Sequence, residues 1–221
     1  MDIGANIKDV QNRIAQACER SGRSAKEITL VAITKSVGVQ AIRAAFDSGI
    51  RDFGENRVQE AEEKIRQLSY LRQSITWHMV GHLQSNKART AEKLFDIIHS
   101  VDSVRLADIL NRCAEKPLPV LLEVNVSGEA SKSGFSVNEL SDVIGQIKPL
   151  SSLKLTGLMT IAPSSDEPEA VRPVFRRLRQ LRDAFGLKHL SMGMTDDFEV
   201  AVEEGATMLR VGRAIFGDRR Q

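Results

Sequence analysis

Apolar runs of strand length alternate with helix-period segments eight times along this chain, and no other feature restricts its fold as much. The runs occupy residues 28–34 (ITLVAIT), 50–54 (IRDFG), 75–80 (ITWHMV), 95–99 (FDIIH), 119–126 (PVLLEVNV), 153–161 (LKLTGLMTI), 189–192 (HLSM) and 207–211 (TMLRV). Between them, residues 39–48, 57–68, 86–94, 104–115, 137–147, 169–185 and 198–204 place apolar side chains at helical spacing. A helix after each strand imposes parallel pairing through right-handed crossovers. Eight such units predict an α/β fold, a closed (β/α)8 TIM barrel, and 221 residues sit near the short end of its range. The alternative is an open doubly wound sheet. Against it, the first strand runs into ITKSVG rather than a glycine-rich dinucleotide loop. Residues 212–221, after the last strand, are too few for a full outer helix. Residues 3–19 instead form an amphipathic helix, with Ile3, Ile7, Val10, Ile14 and Ala17 on one stripe. That helix is expected to cover the wall beside the first and last strands, so that residues 1–221 make one barrel domain.

The 42% hydrophobic content is ample for a packed core and excludes disorder as the main state. With 31 basic and 29 acidic residues, the formal charge of +2 argues against a nucleic-acid partner gripped by counterion release. Cys18 and Cys113 form no CxxC pair and read as ordinary thiols of a reducing compartment. No charged segment followed by an apolar run stands at Met1, and no stretch is long enough to span a bilayer, so a cytoplasmic protein without a membrane partner is expected.

Chemistry in such barrels sits at the C-terminal ends of the strands. Lys35 closes the first strand, and a lysine at a partly desolvated mouth is favoured as a neutral amine able to form a Schiff base. On the last strand, alternation puts Met208, Arg210 and Gly212 on one face. A guanidinium in a short apolar strand requires an inward polar partner. Gly212 and Arg213 then open a helical turn, with Ser191, Gly193 and Thr195 at the end of the preceding strand, a combination suited to phosphate. An amine, a phosphate cradle and an inward arginine on one mouth fit pyridoxal 5′-phosphate (PLP). Arg210 is then placed to donate to the pyridine nitrogen, which leaves the ring a weaker electron sink than a carboxylate partner does.

Several ordered motifs make the resemblance to a known family specific. They are LVAITK (30–35), FGENRVQE (53–60), WHMVGHLQSNK (77–87), HSVDS (99–103), LEVNVSGEASKSGF (122–135), GLMTIAP (157–163) and LSMGMTDDFEVAVEEGATMLRVGRAIFG (190–217). Over essentially its whole length the chain resembles the YggS/PROSC-type pyridoxal phosphate homeostasis (PLP-binding) protein family. The resemblance implies a usually monomeric barrel like the alanine racemase N-terminal domain, with PLP on Lys35. It implies phosphate contacts from Ser191, Thr195, Gly212 and Arg213, Arg210 at the ring nitrogen, and Asn56 and His82 on the ring side. It further implies a role in vitamin B6 and amino-acid homeostasis without established turnover, with apo PLP enzymes as possible recipients.

The enzymatic alternative is a PLP-dependent racemase or lyase, with His82 or another mouth residue as a second base. Two-base racemisation on a related barrel uses a tyrosine opposite the lysine and a second domain that closes the site. Tyr70 stands before the third strand, at the wrong end of the barrel, and no stretch is left over for a second domain. A third reading is a cofactor-free Schiff-base barrel acting on a phosphorylated aldehyde, which gives Arg210 no ring nitrogen to meet. Other features have plainer readings. His78 and His82 are not a metal pair, since no Cys or carboxylate stands at ligand spacing. Asp196 and Asp197 read as helix-start carboxylates, Glu203 and Glu204 as a solvated face, and the arginines of 172–182 as the outside of a barrel helix. EAEEK at 60–64 reads as helical charge pairing and no more.

Overall fold

The computed structural model describes residues 2–129 and 131–217. Four residues of the expected C-terminal tail, 218–221, lie outside that range. In chain order the strands are β1 (Thr29–Ile33), β2 (Asp52–Glu55), β3 (Thr76–Met79), β4 (Ile97–Val101), β5 (Leu118–Asn125), β6 (Phe135–Ser136), β7 (Leu153–Met159), β8 (His189–Ser191) and β9 (Met208–Val211). All pairings are parallel, and β1-β2-β3-β4-β5-β7-β8-β9 closes on itself through β9 against β1. The predicted eight-stranded barrel is therefore the observed one. The ninth segment, β6, is a two-residue strand paired with the end of β5, where the β5 loop folds back.

The helices are α1 (Ile3–Arg20), α2 (Val39–Asp47), α3 (Val58–Gln67), α4 (Ala88–Leu94), α5 (Val104–Cys113), α6 (Leu140–Ile147), α7 (Arg172–Ala184), α8 (Phe198–Glu203) and the short α9 (Arg213–Phe216). Helix α1 is capped by Asp2 and packs its buried stripe of Ile7, Val10, Ile14 and Ala17 against α2, α8 and α9, which puts it over the β9–β1 wall. The Asn6 amide fastens it by donating to Ile215 O at 2.9 Å. One strand falls later than its apolar run: residues 95–99 were the expectation, and β4 is Ile97–Val101. Phe95 N–H instead closes α4 on Ala91 O, and the Asp96 carboxylate accepts from Trp77 N and from Arg72.

Period-two alternation sorts the strand residues into two cores. The outward set, with Ala32, Phe53, Trp77, Ile98, Leu122, Leu158, Leu190 and Leu209, packs under the helices. Inside the barrel, Leu121, Met159 and Met208 with Ile97 form a small separate apolar cluster. Gly54 also faces inward, and a Cβ there would sit 2.6 Å from Ile33 Cδ1 and 3.1 Å from Val31 Cγ1. That contact fixes Val31 and Ile33 as inward.

Two plain readings of charge need correction. Glu204 is not on a solvated face: it is 4% exposed and receives Arg172, Arg176 and Arg179, while Glu203 binds Arg20 and Arg172. Those ion pairs join α7 to α8, because α7 buries Phe175, Leu178 and Leu181 on one side and turns its arginines along the neighbouring helix. Lys64 is likewise more than a surface partner of Glu60. Its buried ammonium donates to Thr34 O at 2.6 Å, Glu55 Oε1 at 2.7 Å and Glu60 Oε1 at 2.6 Å.

Candidate functional site

Lys35 follows β1 by two residues and is partly buried at the mouth, where it makes no hydrogen bond or ion pair among the described residues. Both of its neighbours are held. Thr34 is fully buried, its hydroxyl donates to Glu55 Oε1 at 2.6 Å and its carbonyl accepts from Lys64. Ser36 N–H donates to Glu60 Oε1 at 2.6 Å. Ser36 is also the one non-glycine residue at positive φ (61°) among those described, a backbone state an L-residue adopts at a cost. The Lys64–Glu55–Glu60 cluster thus fixes the turn on either side of the amine.

Asn56, one residue beyond β2, and His82, beyond β3, line a cavity of about 260 Å³ together with Glu123, Asn125, Lys132 and Ile161. Asn56 Oδ1 is buried and has no hydrogen-bond partner among the described residues. Gly81 allows this approach, since a Cβ there would lie 2.5 Å from Asn56 O. The His82 ring stays largely open to solvent, with Nδ1 2.8 Å from Asp102 Oδ2. The structure does not bring Lys35, Thr195, Arg210, Gly212 or Arg213 into the lining of this cavity; they occupy the adjoining arc of the mouth, above β1, β8 and β9.

Arg210 finds the inward partner that its place in the strand requires. It is 5% exposed, with Nη1 donating to Ser191 Oγ at 2.6 Å and Nη2 to Thr160 O at 2.8 Å. Burial pulls the guanidinium down to about 10, opposed by the nearby charges of Asp197 and Glu123. Ser191 is the sequence-stated phosphate contact that the structure places elsewhere. It is fully buried inside the barrel, and its hydroxyl is committed to Arg210 and, at 2.8 Å, to His99 Nδ1. The reason is register: Ser191 pairs with Met208 in the inner apolar layer, below the level of Arg210.

Thr195 does stand at the mouth, and its Oγ1 accepts from Ala214 N at 3.3 Å, joining the β8 loop to the first turn of α9. Gly212 caps that turn without a side chain, and the exposed Arg213 is paired with Asp196. Asp197 does not cap α8 through its side chain; it accepts from Met194 N at 2.5 Å and folds the loop instead. Its carboxyl is pushed above the usual range by burial.

Sequence reasoning overlooked Glu123, Asn125 and Lys132 as lining residues, Asp102 as the partner of His82, and His99 entirely. The signal for Glu123 was available, since alternation along PVLLEVNV puts it on the same face as Leu121, which lies in the inner cluster. Burial first, then the charge of Asp102, raise the Glu123 carboxyl above its ordinary value. The Asn125 side chain organises the following loop, taking Gly128 N on Oδ1 and donating to Glu129 O and Lys132 O. Lys132 itself reaches Ile161 O at 3.3 Å across the cavity rim. No group of three or more His, Cys, Asp or Glu among the described residues is placed to hold a metal ion.

Residues 6–220 match the family model of the alanine racemase N-terminal domain. The chain is 42% identical to the pyridoxal phosphate homeostasis protein of Aquifex aeolicus, covering all of both chains. It is 45% identical to that of Escherichia coli K12, over 99% of this chain and 97% of the relative. Its structure superposes on that of PipY from Synechococcus elongatus, solved with PLP bound, at a TM-score of 0.80 and 37% identity, over 92% of this chain and 100% of PipY. The chain belongs to the family of pyridoxal phosphate homeostasis proteins, built on the alanine racemase N-terminal domain.

Proposed function

We propose that this chain binds PLP at the barrel mouth and serves as its carrier or regulator in vitamin B6 and amino-acid homeostasis, without a dedicated catalytic turnover. The observation that carries this reading is the Lys35 amine, without a partner among the described residues, whose flanking peptides are fixed by the Lys64 cluster and whose strand β1 pairs with the strand of the buried Arg210. The donor set suits the ligand. When bound, PLP supplies an aldehyde, a phosphate and an electron-withdrawing pyridine ring. Lys35 holds the aldehyde carbon covalently. Thr195, Gly212 and Arg213 hold the phosphate, and Arg210 donates toward the ring nitrogen. Asn56, with a buried oxygen left without a partner among the described residues, and His82, steadied by Asp102, border the ring. Ser191 acts one step back, as the acceptor that aims Arg210.

An arginine beside the ring nitrogen disfavours its protonation and so weakens carbanion stabilisation, which suits storage better than turnover. Tyr70 gives no support to a two-base racemase: it is 64% exposed in the turn before β3 and accepts from Arg43. The protein is proposed to act as a monomer in the cytoplasm, with apo PLP enzymes as recipients. Among the described residues the large apolar side chains left exposed are Tyr70, Ile161 and Met194, too few for an obligate interface. No helix among them is long and apolar enough to cross a membrane.

Reconstitution with PLP tests the reading. The purified protein develops a visible absorption band that borohydride fixes onto Lys35, and Lys35→Ala removes the attachment at that residue. A protein that stays colourless in excess PLP refutes the proposal. Rapid racemisation of an amino acid by the loaded protein would replace the carrier reading with the enzymatic one.

A further inference from the structure

Five polar side chains cross the barrel interior in single file. Asp52 Oδ1 lies 3.0 Å from His78 Nε2, His78 Nδ1 lies 2.9 Å from His99 Nε2, and His99 Nδ1 lies 2.8 Å from Ser191 Oγ. Ser191 Oγ in turn accepts from Arg210 Nη1 at 2.6 Å. His78, His99 and Ser191 are all fully buried, whereas the Asp52 side chain, the first residue of β2, is 27% exposed at the closed end of the barrel. The file therefore runs from water at one end of the barrel to the guanidinium at the other. None of its middle members touches the cavity at the mouth.

We propose that Asp52, with Arg210 at the other end, sets the direction of every hydrogen bond in this file and so acts as a positioning residue for Arg210. The geometry permits one consistent pattern when the two ends are a carboxylate and a guanidinium. A carboxylate only accepts, so His78 carries its proton on Nε2. A neutral imidazole then leaves Nδ1 bare, and His99 must donate to it from Nε2. His99 Nδ1 is therefore an acceptor and takes the Ser191 hydroxyl proton. Ser191 oxygen is left with its lone pairs toward Arg210, which only donates. All four contacts are satisfied with both rings neutral. Neutrality is also what the interior demands: burial first, with the charge of Arg210 nearby, holds His99 well below its ordinary value.

The reverse direction fails at both ends. With Nδ1–H on His99, the Ser191 oxygen would face two donors and its own proton would lose its acceptor. A protonated Asp52 would be needed to close the other end. The polarity of the file thus depends on both ends, the remote carboxylate and the donor-only guanidinium, and each bond polarises the next. The link from Arg210 to a ring nitrogen rests on the proposed PLP site; the direction of the file does not.

Long-range 1H–15N correlation spectra of the full chain, without and with PLP, test the direction. His78 and His99 should both show the neutral tautomer protonated on Nε2 at pH 7.5. A proton on Nδ1 of either ring, or a charged ring, overturns the proposal. In Asp52→Leu, the acceptor at the foot of the file is lost, and His78 should shift to a mixture of tautomers, with His99 following. Unchanged Nε2–H tautomers in a folded Asp52→Leu protein would show that Asp52 does not direct the file. PLP titration of the same variant should give a Kd raised roughly tenfold, the scale of one charge-assisted hydrogen bond, with attachment still at Lys35. Correct tautomers in a protein that never binds PLP would refute the functional reading and leave the file standing. An unaltered Kd with altered tautomers would refute the step from Ser191 to Arg210.

Discussion

Arg210 Nη1 donates to Ser191 Oγ at 2.6 Å inside the barrel, and this bond decides where each of the two residues belongs in the site. The serine cannot serve a phosphate at the mouth while its oxygen holds a buried guanidinium. Ser191→Ala leaves that guanidinium with only the Thr160 carbonyl. The expected cost is about 1–3 kcal/mol in urea unfolding, the penalty of a buried donor without its partner. If Ser191 instead served the phosphate, stability without PLP would hold and only PLP affinity would fall.

The amine of Lys64 balances Glu55 and Glu60 and holds the carbonyl of Thr34, all beside Lys35. Lys64→Ala strands a carboxylate that is already fully buried, with its Oε2 unpartnered, so a loss of roughly 3–5 kcal/mol is expected. Lys64→Met with Glu55→Leu should recover most of it, because removing both charges removes the stranded one. Chemical denaturation of the two proteins side by side decides the point, and equal losses in both would show that packing, not charge, is what Lys64 supplies.

Glu123 has its carboxyl raised above the ordinary range by burial and by Asp102. A carboxyl raised in the folded state stabilises the fold below its folded value and loses that contribution as pH rises through it. Glu123→Gln, which keeps the shape and discards the charge, should therefore raise the melting temperature at pH 7.5 by about 2–4 °C, corresponding to about 1 kcal/mol. At pH 4.5 the gain should shrink toward zero. A variant less stable than the parent at pH 7.5 contradicts this.

His99 shows the opposite sign. Its folded value lies well below that of a free imidazole, so the unfolded chain takes up a proton that the folded one refuses. Stability should fall as pH drops below about 6.5, with this residue contributing a slope of at most about 1.4 kcal/mol per pH unit. In His99→Asn that part of the slope disappears. Unfolding curves at pH 7.5, 6.0 and 5.0 for both proteins give the comparison.

The barrel was legible because its signal is local and repeated. Eight apolar runs with intervening helical stripes need no knowledge of distant contacts, and β4 moved only because the Asp96 carboxylate found Trp77 and Arg72. The inward face of Arg210 on β9, and the places of Lys35 and Gly212 just beyond their strands, were equally legible, since they follow from strand length and alternation. His99 and the Lys64 cluster were not. Their partners lie 21 to 92 residues apart for His99 and up to 30 for Lys64, and nothing in a run such as FDIIH marks one ring as part of a file.

Sequence by itself therefore determined the layers and the closure, since these depend on periodicity and on the sign of strand crossover. Tertiary structure alone decided which polar groups meet. Barrel stagger brings Asp52, His78, His99, Ser191 and Arg210 from five different strands into one line, and it leaves Lys35 without a partner among the described residues while fastening the peptides on both sides of it. Hydrogen bonds act only within about 3 Å, so their pattern is set by register across the barrel rather than by order along the chain.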